Sequence, residues 1–274
     1  MQKISGQEVS GEIVERLQAL PKIKKILAAV MVGEDPTSLS FLRQKEQFAE
    51  KLKVNFRRYD FPESLGNDAL REEVGRISKQ KSVGGIIVQL PLPEGVNKYY
   101  VLNAMAKEKD VDVLSERALG AFYNNRSSVC PPAVETVKEI IERQRIDLSK
   151  SNIAVVGLGA LVGRPIALWL MGKCAHLDLL DKGSDLNLLA EADVVISGVG
   201  EAGLIKPSNL KEGAGVIDFG YYYFEDGKLS GDLDITSREV EGLSFYTPTP
   251  GGTGPILVAK LMENFYKLNS EENV

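Results

Sequence analysis

Short apolar runs alternate with segments of helical period along the first half of the chain. A strand-length apolar run followed by an amphipathic helix is typical of βαβ units, which build a parallel sheet covered by helices. The pattern therefore predicts an α/β fold. Its predicted elements are, in order, strand 23–32, helix 38–52, strand 54–59, helix 68–78, strand 85–90 and helix 99–105.

The same alternation begins again near Pro131 and continues to the end. The turn-forming sequence Glu225-Asp226-Gly227 predicts a hairpin within this part. A second series of elements indicates a second α/β lobe. Its predicted elements are helix 134–143, strand 152–156, helix 162–172, strands 176–180, 193–197 and 215–218, and a last helix 255–268.

Two interruptions of this pattern suggest where the lobes meet along the chain. Residues 115–132 are polar and are predicted to be irregular, and the Pro- and Gly-rich run 247–255 cannot form regular structure. We therefore predict a first lobe of residues 1–118, completed by the C-terminal helix 254–274, and a second lobe of residues 119–250. A cleft is expected between them.

Composition excludes several classes of protein. The 274 residues are 43% hydrophobic and 26% charged, which is typical of a globular protein, and the net charge of −5 offers no basic surface for nucleic acid or anionic lipid. No apolar run has the length of a signal peptide or a membrane span. Cys130, Cys174 and His176 lack metal-ligand spacing. We expect a cytoplasmic protein without a metal and without nucleic-acid or membrane partners.

A glycine-rich turn is the strongest local motif. The predicted strand 152–156 runs directly into Gly157-Leu158-Gly159 and then, after three residues, Gly163-Arg164 at the start of a helix. In dinucleotide-binding folds the first glycine allows the tight turn, the second lets the backbone approach the pyrophosphate, and the third allows close helix packing. The turn predicts a dinucleotide site. The alternative is a turn needed only for packing.

Asp181 bears on the choice of dinucleotide. It ends the next predicted strand, near the spacing of about 20 residues expected for the acid that binds the adenosine ribose. A carboxylate there repels a 2′-phosphate, so NAD is favoured over NADP, although Lys182 could weaken the effect. The alternative is an acid that caps the following helix, a role for which Ser184 or Asp185 is better placed.

Four polar residues stand out in the first lobe. Lys45 lies four residues after Phe41 and so shares an apolar helix face, and Gln89 interrupts the end of a buried strand, where α/β sheets bind ligands. Asp110 and Asp112 fall on one side if their segment is extended. The alternatives are a lysine that extends to solvent, a glutamine that only holds the following proline-rich loop, and solvated acids.

These pieces occur together in one known family. VGEDPTS followed by Phe41-x-x-x-Lys45, then GGIIVQLPLP, KDVD, VGRP and TPTPGGTGP, covers the chain from about Val30 to Met262. In content and order, this series resembles the bifunctional methylenetetrahydrofolate dehydrogenase/methenyltetrahydrofolate cyclohydrolase family.

The resemblance implies a substrate-binding, catalytic first lobe and a Rossmann-like NAD(P)-binding second lobe through which two copies form a homodimer. It implies oxidation of 5,10-methylenetetrahydrofolate to the 5,10-methenyl form with NAD(P), followed by hydrolysis to 10-formyltetrahydrofolate, in one-carbon metabolism and purine biosynthesis.

The resemblance also implies roles for particular residues. Lys45 matches the catalytic lysine, Gln89 the glutamine that holds and tunes it, and Asp112 the acid that binds the pterin edge. The implied substrate-binding residues are Phe41, Val88, Leu90, Pro250, Gly251, Gly252 and Gly254. The implied cofactor-binding residues are Gly157, Leu158, Gly159, Gly163, Arg164, Asp181, Gly200, Gly220 and Tyr221.

Several positions depart from the family's usual pattern. Phe41 replaces a tyrosine, so its hydroxyl is missing, and Val113 replaces a glycine beside Asp112. The family's PCTP motif is Cys130-Pro-Pro-Ala133 here, so a threonine near the cofactor is lost. Leu158-Gly159 and Asp181-Lys182 replace polar residues that in many members meet the NADP 2′-phosphate. The last two changes agree with NAD.

Phe41 keeps a first alternative open, namely a monofunctional NAD-dependent dehydrogenase with weak or no cyclohydrolase activity. A second alternative is a catalytically silent folate- or dinucleotide-binding regulator. It is disfavoured because Lys45, Gln89 and Asp112 are all present.

Overall fold

Two parallel sheets organise the protein, each covered by helices. The computed structural model describes residues 1–270. The strands are, in chain order, β1 Gln2–Lys3, β2 Ile26–Val32, β3 Asn55–Phe61, β4 Val83–Val88, β5 Asn152–Val156, β6 His176–Leu180, β7 Val194–Ser197, β8 Gly215–Asp218, β9 Tyr222–Tyr223, β10 Leu229–Ser230 and β11 Phe245–Tyr246. The helices are α1 Gly6–Gln18, α2 Pro36–Lys51, α3 Asn67–Lys79, α4 Lys98–Leu102, α5 Glu116–Tyr123, α6 Pro132–Arg143, α7 Gly163–Leu170 and α8 Thr253–Leu268.

The chain divides by residue contacts into two units. The first unit comprises Glu12–Pro132 and the chain from Val258 onward, and the second comprises Met1–Gly11 and Ala133–Leu257. The first eleven residues join the second unit because β1 pairs with β11 there. The sequence predicts a boundary between residues 118 and 119, whereas the contact division follows Pro132.

The sheet of the first unit has the strand order β3-β2-β4, and all of its pairs are parallel. Every residue of β2 and β4 is buried. A parallel strand covered on both faces reads as a continuous apolar run, which is why Ile26–Val32 contains no polar residue. The pairing places the carboxyl ends of β2 and β4 side by side, with Val30 opposite Val88.

Helix α2 follows β2 and carries Lys45. Asp35 caps the helix by accepting a hydrogen bond from Ser38 N at 2.7 Å. Its buried face consists of Ser38, Leu42 and Ala49. The predicted apolar stripe through Phe41 is therefore wrong in phase, because Phe41 and Lys45 lie beside the core face and remain partly accessible.

The sheet of the second unit has six parallel strands in the order β1-β11-β8-β7-β5-β6. From β5 the chain passes to β6 on one side and then to β7 on the other. The strand order therefore reverses between β5 and β7. In open α/β sheets, ligands bind outside the carboxyl ends of the strands at such a reversal.

The α/β class with parallel sheets is confirmed, and the predicted hairpin exists as the antiparallel pair β9–β10. The irregular segment predicted at 115–132 is wrong. It contains α5, capped by Ser115 and buried through Ala118 and Phe122. A short helix with so few apolar residues gives little periodicity, so its polar composition concealed it. Within residues 1–270, no helix is long and apolar enough to cross a membrane.

Candidate active site

Lys45, Gln89 and Asp112 come together in the first unit. Lys45 Nζ donates a hydrogen bond to Gln89 Oε1 at 3.0 Å and lies 3.9 Å from Asp112 Oδ2. The Lys45 side chain is only 11% exposed and that of Asp112 14%. The alternative of a lysine extending to solvent is excluded, because the ammonium group is held among polar partners.

Gln89 is oriented by its own backbone and amide. It follows the last residue of β4, and its N–H donates to Val30 O at 2.9 Å. Its Nε2 donates to Leu90 O at 2.7 Å, which directs Oε1 toward Lys45. Gln89 therefore contacts both the proline-rich loop and the lysine, which excludes the alternative of a glutamine that holds only the loop.

The two acids of the KDVD segment have different roles. Asp110 is buried, and its carboxylate accepts hydrogen bonds from Leu114 N and from Ser115 N, the latter at 2.7 Å. Burial raises the pKa of Asp110. The Asp112 carboxylate points to Lys45 instead. Burial raises the pKa of Asp112, the positive charge of Lys45 opposes that rise, and the nearby Asp110 adds to it.

The segment that carries Asp112 is tightly held. Asn264 on α8 is buried, and its Nδ2 donates to Val111 O at 2.9 Å and to Cys130 O at 2.8 Å. Val113 has a φ of +56° and is 1% exposed. This is the left-handed region that favours glycine, at the position where the resemblance led us to expect one.

The predicted substrate-binding residues fall into two groups. The first group lies close in the chain to Lys45 or Gln89. Phe41 lies one turn before Lys45 on α2, and Val88 and Leu90 flank Gln89 at the end of β4. The others, at 250–254, belong to the second unit. There, Gly251 O accepts a hydrogen bond from Gly6 N at 2.8 Å.

The glycine-rich turn has the geometry of a dinucleotide cradle. Gly157 has a φ of +85°, and a Cβ there would lie 2.9 Å from Val199 Cγ2. A Cβ on Gly163 would overlap the carbonyl oxygen of Gly157, whereas one on Gly159 would meet nothing within 4 Å. The space above Gly159 is where a pyrophosphate would approach the backbone. The turn therefore fits a dinucleotide.

The other predicted cofactor residues of the first βα turn surround this cradle. Leu158 lies within it, and exposed Arg164 donates its N–H to Gly159 O at 3.0 Å. Asp181 is exposed directly after β6 and accepts a hydrogen bond from Lys182 N at 3.0 Å. The following 3₁₀ helix is capped by Asp185. Asp181 is thus not that cap.

Gly220 and Tyr221 follow β8 at the same edge of the sheet. Gly220 N donates to Asp218 Oδ1 at 2.6 Å, and the Tyr221 hydroxyl lies 2.7 Å from that of Tyr223. Burial and this neighbouring hydroxyl raise the pKa of Tyr221. Burial also raises the pKa of Asp218 to about 6, with the negative charge of Asp232 contributing.

Sequence reasoning missed Asp218 and Asp232. A signal was present for the first, because Asp218 interrupts the end of an apolar strand as Gln89 does. Asp232 carries no such signal, since its partners lie about thirty residues earlier in the chain. Among residues 1–270 there is no group of three or more His, Cys, Asp or Glu side chains that could hold a metal ion.

The six-stranded parallel sheet, its reversal point and the glycine cradle define a dinucleotide-binding α/β enzyme. Two family models match the chain. The one for the tetrahydrofolate dehydrogenase/cyclohydrolase catalytic domain matches residues 2–112, and the one for the NAD(P)-binding domain of the same proteins matches residues 130–273.

Individual proteins agree with the family models. The bifunctional protein FolD of Bacillus licheniformis is 32% identical, over 97% of this chain and 94% of its own. The crystal structure of the bifunctional methylenetetrahydrofolate dehydrogenase/cyclohydrolase FolD of Campylobacter jejuni has a TM-score of 0.91 at 30% identity, covering 97% of both chains. The Trypanosoma brucei enzyme, complexed with NADP and an inhibitor, has a TM-score of 0.90 at 25% identity, covering 97% of this chain and 96% of its own.

The chain belongs to the tetrahydrofolate dehydrogenase/cyclohydrolase family. The resemblance stated from the motifs is confirmed, and the match to the family's NAD(P)-binding domain, residues 130–273, includes Ala133–Leu257 of the second unit.

Proposed function

We propose that the protein oxidises 5,10-methylenetetrahydrofolate to 5,10-methenyltetrahydrofolate with NAD(P) and hydrolyses that product to 10-formyltetrahydrofolate. The observation that carries this proposal is the contact of Lys45 with Gln89 and its approach to Asp112. A silent binding protein would have no need to keep an ammonium group at this position with 11% of its side chain exposed.

For the hydrolysis, each of the three residues has a distinct task. The carboxylate of Asp112 can accept hydrogen bonds from the adjacent N–H donors of a pterin edge. Water adds to the methenyl carbon, one C–N bond breaks, and a proton is released. Lys45 is the group placed to transfer protons at the attacking water, and Gln89 keeps its Nζ in position through the 3.0 Å hydrogen bond.

For the oxidation, the task of the chain is to hold two reactants in a fixed geometry. NAD(P), when bound, supplies the hydride acceptor. The turn from Gly157 to Gly163 would hold its pyrophosphate, because the open side of Gly159 and the start of α7 both favour an anion there.

We propose NAD as the preferred cofactor. Asp181 is exposed directly after β6, and β6 pairs with β5, which leads into the glycine turn. A carboxylate in this position accepts hydrogen bonds from ribose hydroxyls and repels a 2′-phosphate. Lys182 is the next residue, so the preference is expected to be partial rather than absolute.

The first experiment measures methylenetetrahydrofolate-dependent reduction of NAD and NADP in parallel, with methenyl product determined after an acid quench. We expect turnover with both and a higher kcat/KM for NAD. Turnover with neither would refute the proposed function. Dehydrogenase activity without hydrolysis of added methenyltetrahydrofolate would favour the monofunctional alternative that Phe41 suggested.

The second experiment tests Lys45 with a matched control on the same helix. Lys45→Met should lower cyclohydrolase activity by about 10²-fold or more, the range for general acid–base residues, while much of the dehydrogenase activity remains. Lys51→Met, which removes an exposed lysine of α2, should leave both activities unchanged. An equal loss of both activities in Lys45→Met would mean that Lys45 mainly binds substrate.

We also propose that the protein acts in the cytoplasm as a homodimer formed through the second unit. Support for the dimer comes from β6, an edge strand of the six-stranded sheet on which Leu179 is 44% exposed. Sedimentation velocity would show a species of twice the chain mass; a monomer at micromolar concentration would contradict the dimer.

A further inference from the structure

The loop that follows β7, residues 198–201, is held by one buried carboxylate. Asp232 accepts hydrogen bonds from three successive backbone N–H groups, those of Val199, Gly200 and Glu201, each at 2.8 Å. It also accepts one from the hydroxyl of Ser197 at 2.6 Å. Asp232 has no exposed surface and its bond from Ser197 is buried, whereas the three loop N–H groups reach it from the surface of the second unit.

This loop borders the glycine-rich turn. A Cβ on Gly157 would lie 2.9 Å from the side chain of Val199 and 3.0 Å from Gly198 O. The loop begins at the carboxyl end of β7, which pairs with β5 at the point where the strand order reverses. A dinucleotide spans both halves of such a sheet. If Asp181 after β6 binds the adenosine ribose, the loop after β7 lies under the nicotinamide half.

Successive backbone N–H groups that converge on one point usually form an anion site for a phosphate. Here the protein's own carboxylate occupies that point. The three N–H groups of residues 199–201 are therefore used for holding the loop, which leaves the turn from Gly157 to Gly163 to bind the pyrophosphate.

The same carboxylate also fixes the position of the loop that follows β8. A Cβ on Gly220 would overlap the carboxylate of Asp232, so the backbone at Gly220 packs directly on it. Gly220 is anchored in turn by Asp218, which also accepts a hydrogen bond from Leu233 N at 2.9 Å. One buried side chain thus determines the position of two neighbouring loops at the carboxyl edge of the sheet.

We propose that Asp232 is a positioning residue for the cofactor, which fixes the loops after β7 and β8 in the shape that receives the nicotinamide half of NAD(P). This inference rests on the proposed function, because it takes the carboxyl edge of this sheet as the cofactor site. Asp232 acts through the backbone of residues 199–201 and need not touch the cofactor.

The test compares Asp232→Asn with Asp234→Asn in the full-length protein. Asparagine has one acceptor oxygen in place of two, so at least one of the four donors at position 232 loses its partner. Asp234 is two residues away, and its carboxylate binds Lys206 and Thr236 instead of the loop. Ser197→Ala serves as a milder variant, because it removes a single hydrogen bond to Asp232.

NAD and NADP binding is measured by calorimetric titration, and KM values are measured for cofactor and for folate. We expect Asp232→Asn to weaken cofactor binding about ten- to a hundredfold, as displaced positioning groups do. Ser197→Ala should have a smaller effect in the same direction, and Asp234→Asn should have none. The KM for folate and the hydrolysis of methenyltetrahydrofolate, which needs no cofactor, should stay within about twofold of the parent protein.

Unchanged cofactor binding in both Asp232→Asn and Ser197→Ala would overturn the inference. So would an equal loss of cofactor binding and cyclohydrolase activity, because that would indicate general unfolding. If Asp232→Asn does not fold, the cofactor affinity of Ser197→Ala alone tests the inference. The two proposals can fail separately, because the calorimetric measurement needs no turnover. A parent protein that binds NAD but is inactive would refute the proposed function, and the effect of Asp232→Asn on NAD binding would still test this inference.

Discussion

Alanine substitutions at two glycines of the glycine-rich turn should separate an effect on folding stability from an effect on cofactor binding. Gly159 and Gly163 differ in what an added methyl group would meet. At Gly159 there is nothing within 4 Å, and at Gly163 the methyl group would overlap the backbone carbonyl of Gly157. The same chemical change, glycine to alanine, therefore tests the cofactor site at one position and the packing of α7 at the other.

The magnitudes follow from these surroundings. In Gly163→Ala, backbone atoms on both sides would have to move apart, and overpacking of this kind costs about 1–3 kcal/mol or more. In Gly159→Ala, the free energy of unfolding should change by less than about 1 kcal/mol, because the methyl group enters open space. It would, however, stand between the backbone and a pyrophosphate. Loss of one charge-assisted hydrogen bond, worth about 1.5–3 kcal/mol, corresponds to roughly a ten- to hundredfold weaker Kd.

Urea unfolding and calorimetric titration with NAD measure the two effects separately. We expect Gly159→Ala to unfold like the parent protein and to bind NAD at least tenfold more weakly, and Gly163→Ala to be clearly destabilised. Gly159→Ala with unchanged NAD affinity would refute the assignment of the pyrophosphate to this turn. A stable Gly163→Ala variant would refute the packing argument.

Three further predictions concern single positions. Val113→Gly should lower the free energy of unfolding by less than Val83→Gly in the buried strand β4, because relief of about 1–3 kcal/mol of left-handed strain offsets the loss of buried side chain. Equal losses of stability in urea unfolding would show that Val113 is unstrained. Burial raises the pKa of Asp218 from its ordinary value of 3.8 to about 6 in the folded protein. Between these two pH values Asp218 takes up a proton on folding, so its stabilising contribution is present below pH 3.8 and is lost as pH rises through 6. The stability of the parent protein relative to Asp218→Asn should accordingly rise by about 1 kcal/mol per pH unit from pH 6 to 4, and a flat difference would contradict the raised pKa. Asp181→Ser combined with Lys182→Arg should improve kcat/KM for NADP relative to NAD, and an unchanged ratio would mean that Asp181 does not bind the ribose.

Much of the fold was predictable because it depends on neighbouring residues. Apolar runs between helical segments identified seven strands of the two parallel sheets but not the two-residue strands β1 and β11. The strand-to-helix glycine turn identified the cofactor cradle, since its geometry depends on residues close in sequence. Gln89 stood out for the same reason, because it interrupts a local apolar pattern, whereas Lys45 was singled out on an apolar stripe that the structure places beside the core face of α2.

What the sequence by itself determined was therefore the kind of elements, the glycine cradle and the family. Only the tertiary structure decided how the polar groups are paired. Asp110 accepts the N–H groups of Leu114 and Ser115 just before α5, whereas Asp112 approaches Lys45. Asn264 joins the carbonyls of Val111 and Cys130, and Asp232 holds the loop after β7. Most of these partners are many residues apart in the chain. Hydrogen bonding between distant residues leaves no periodic trace in the sequence, because it depends on where the folded backbone brings donors and acceptors together.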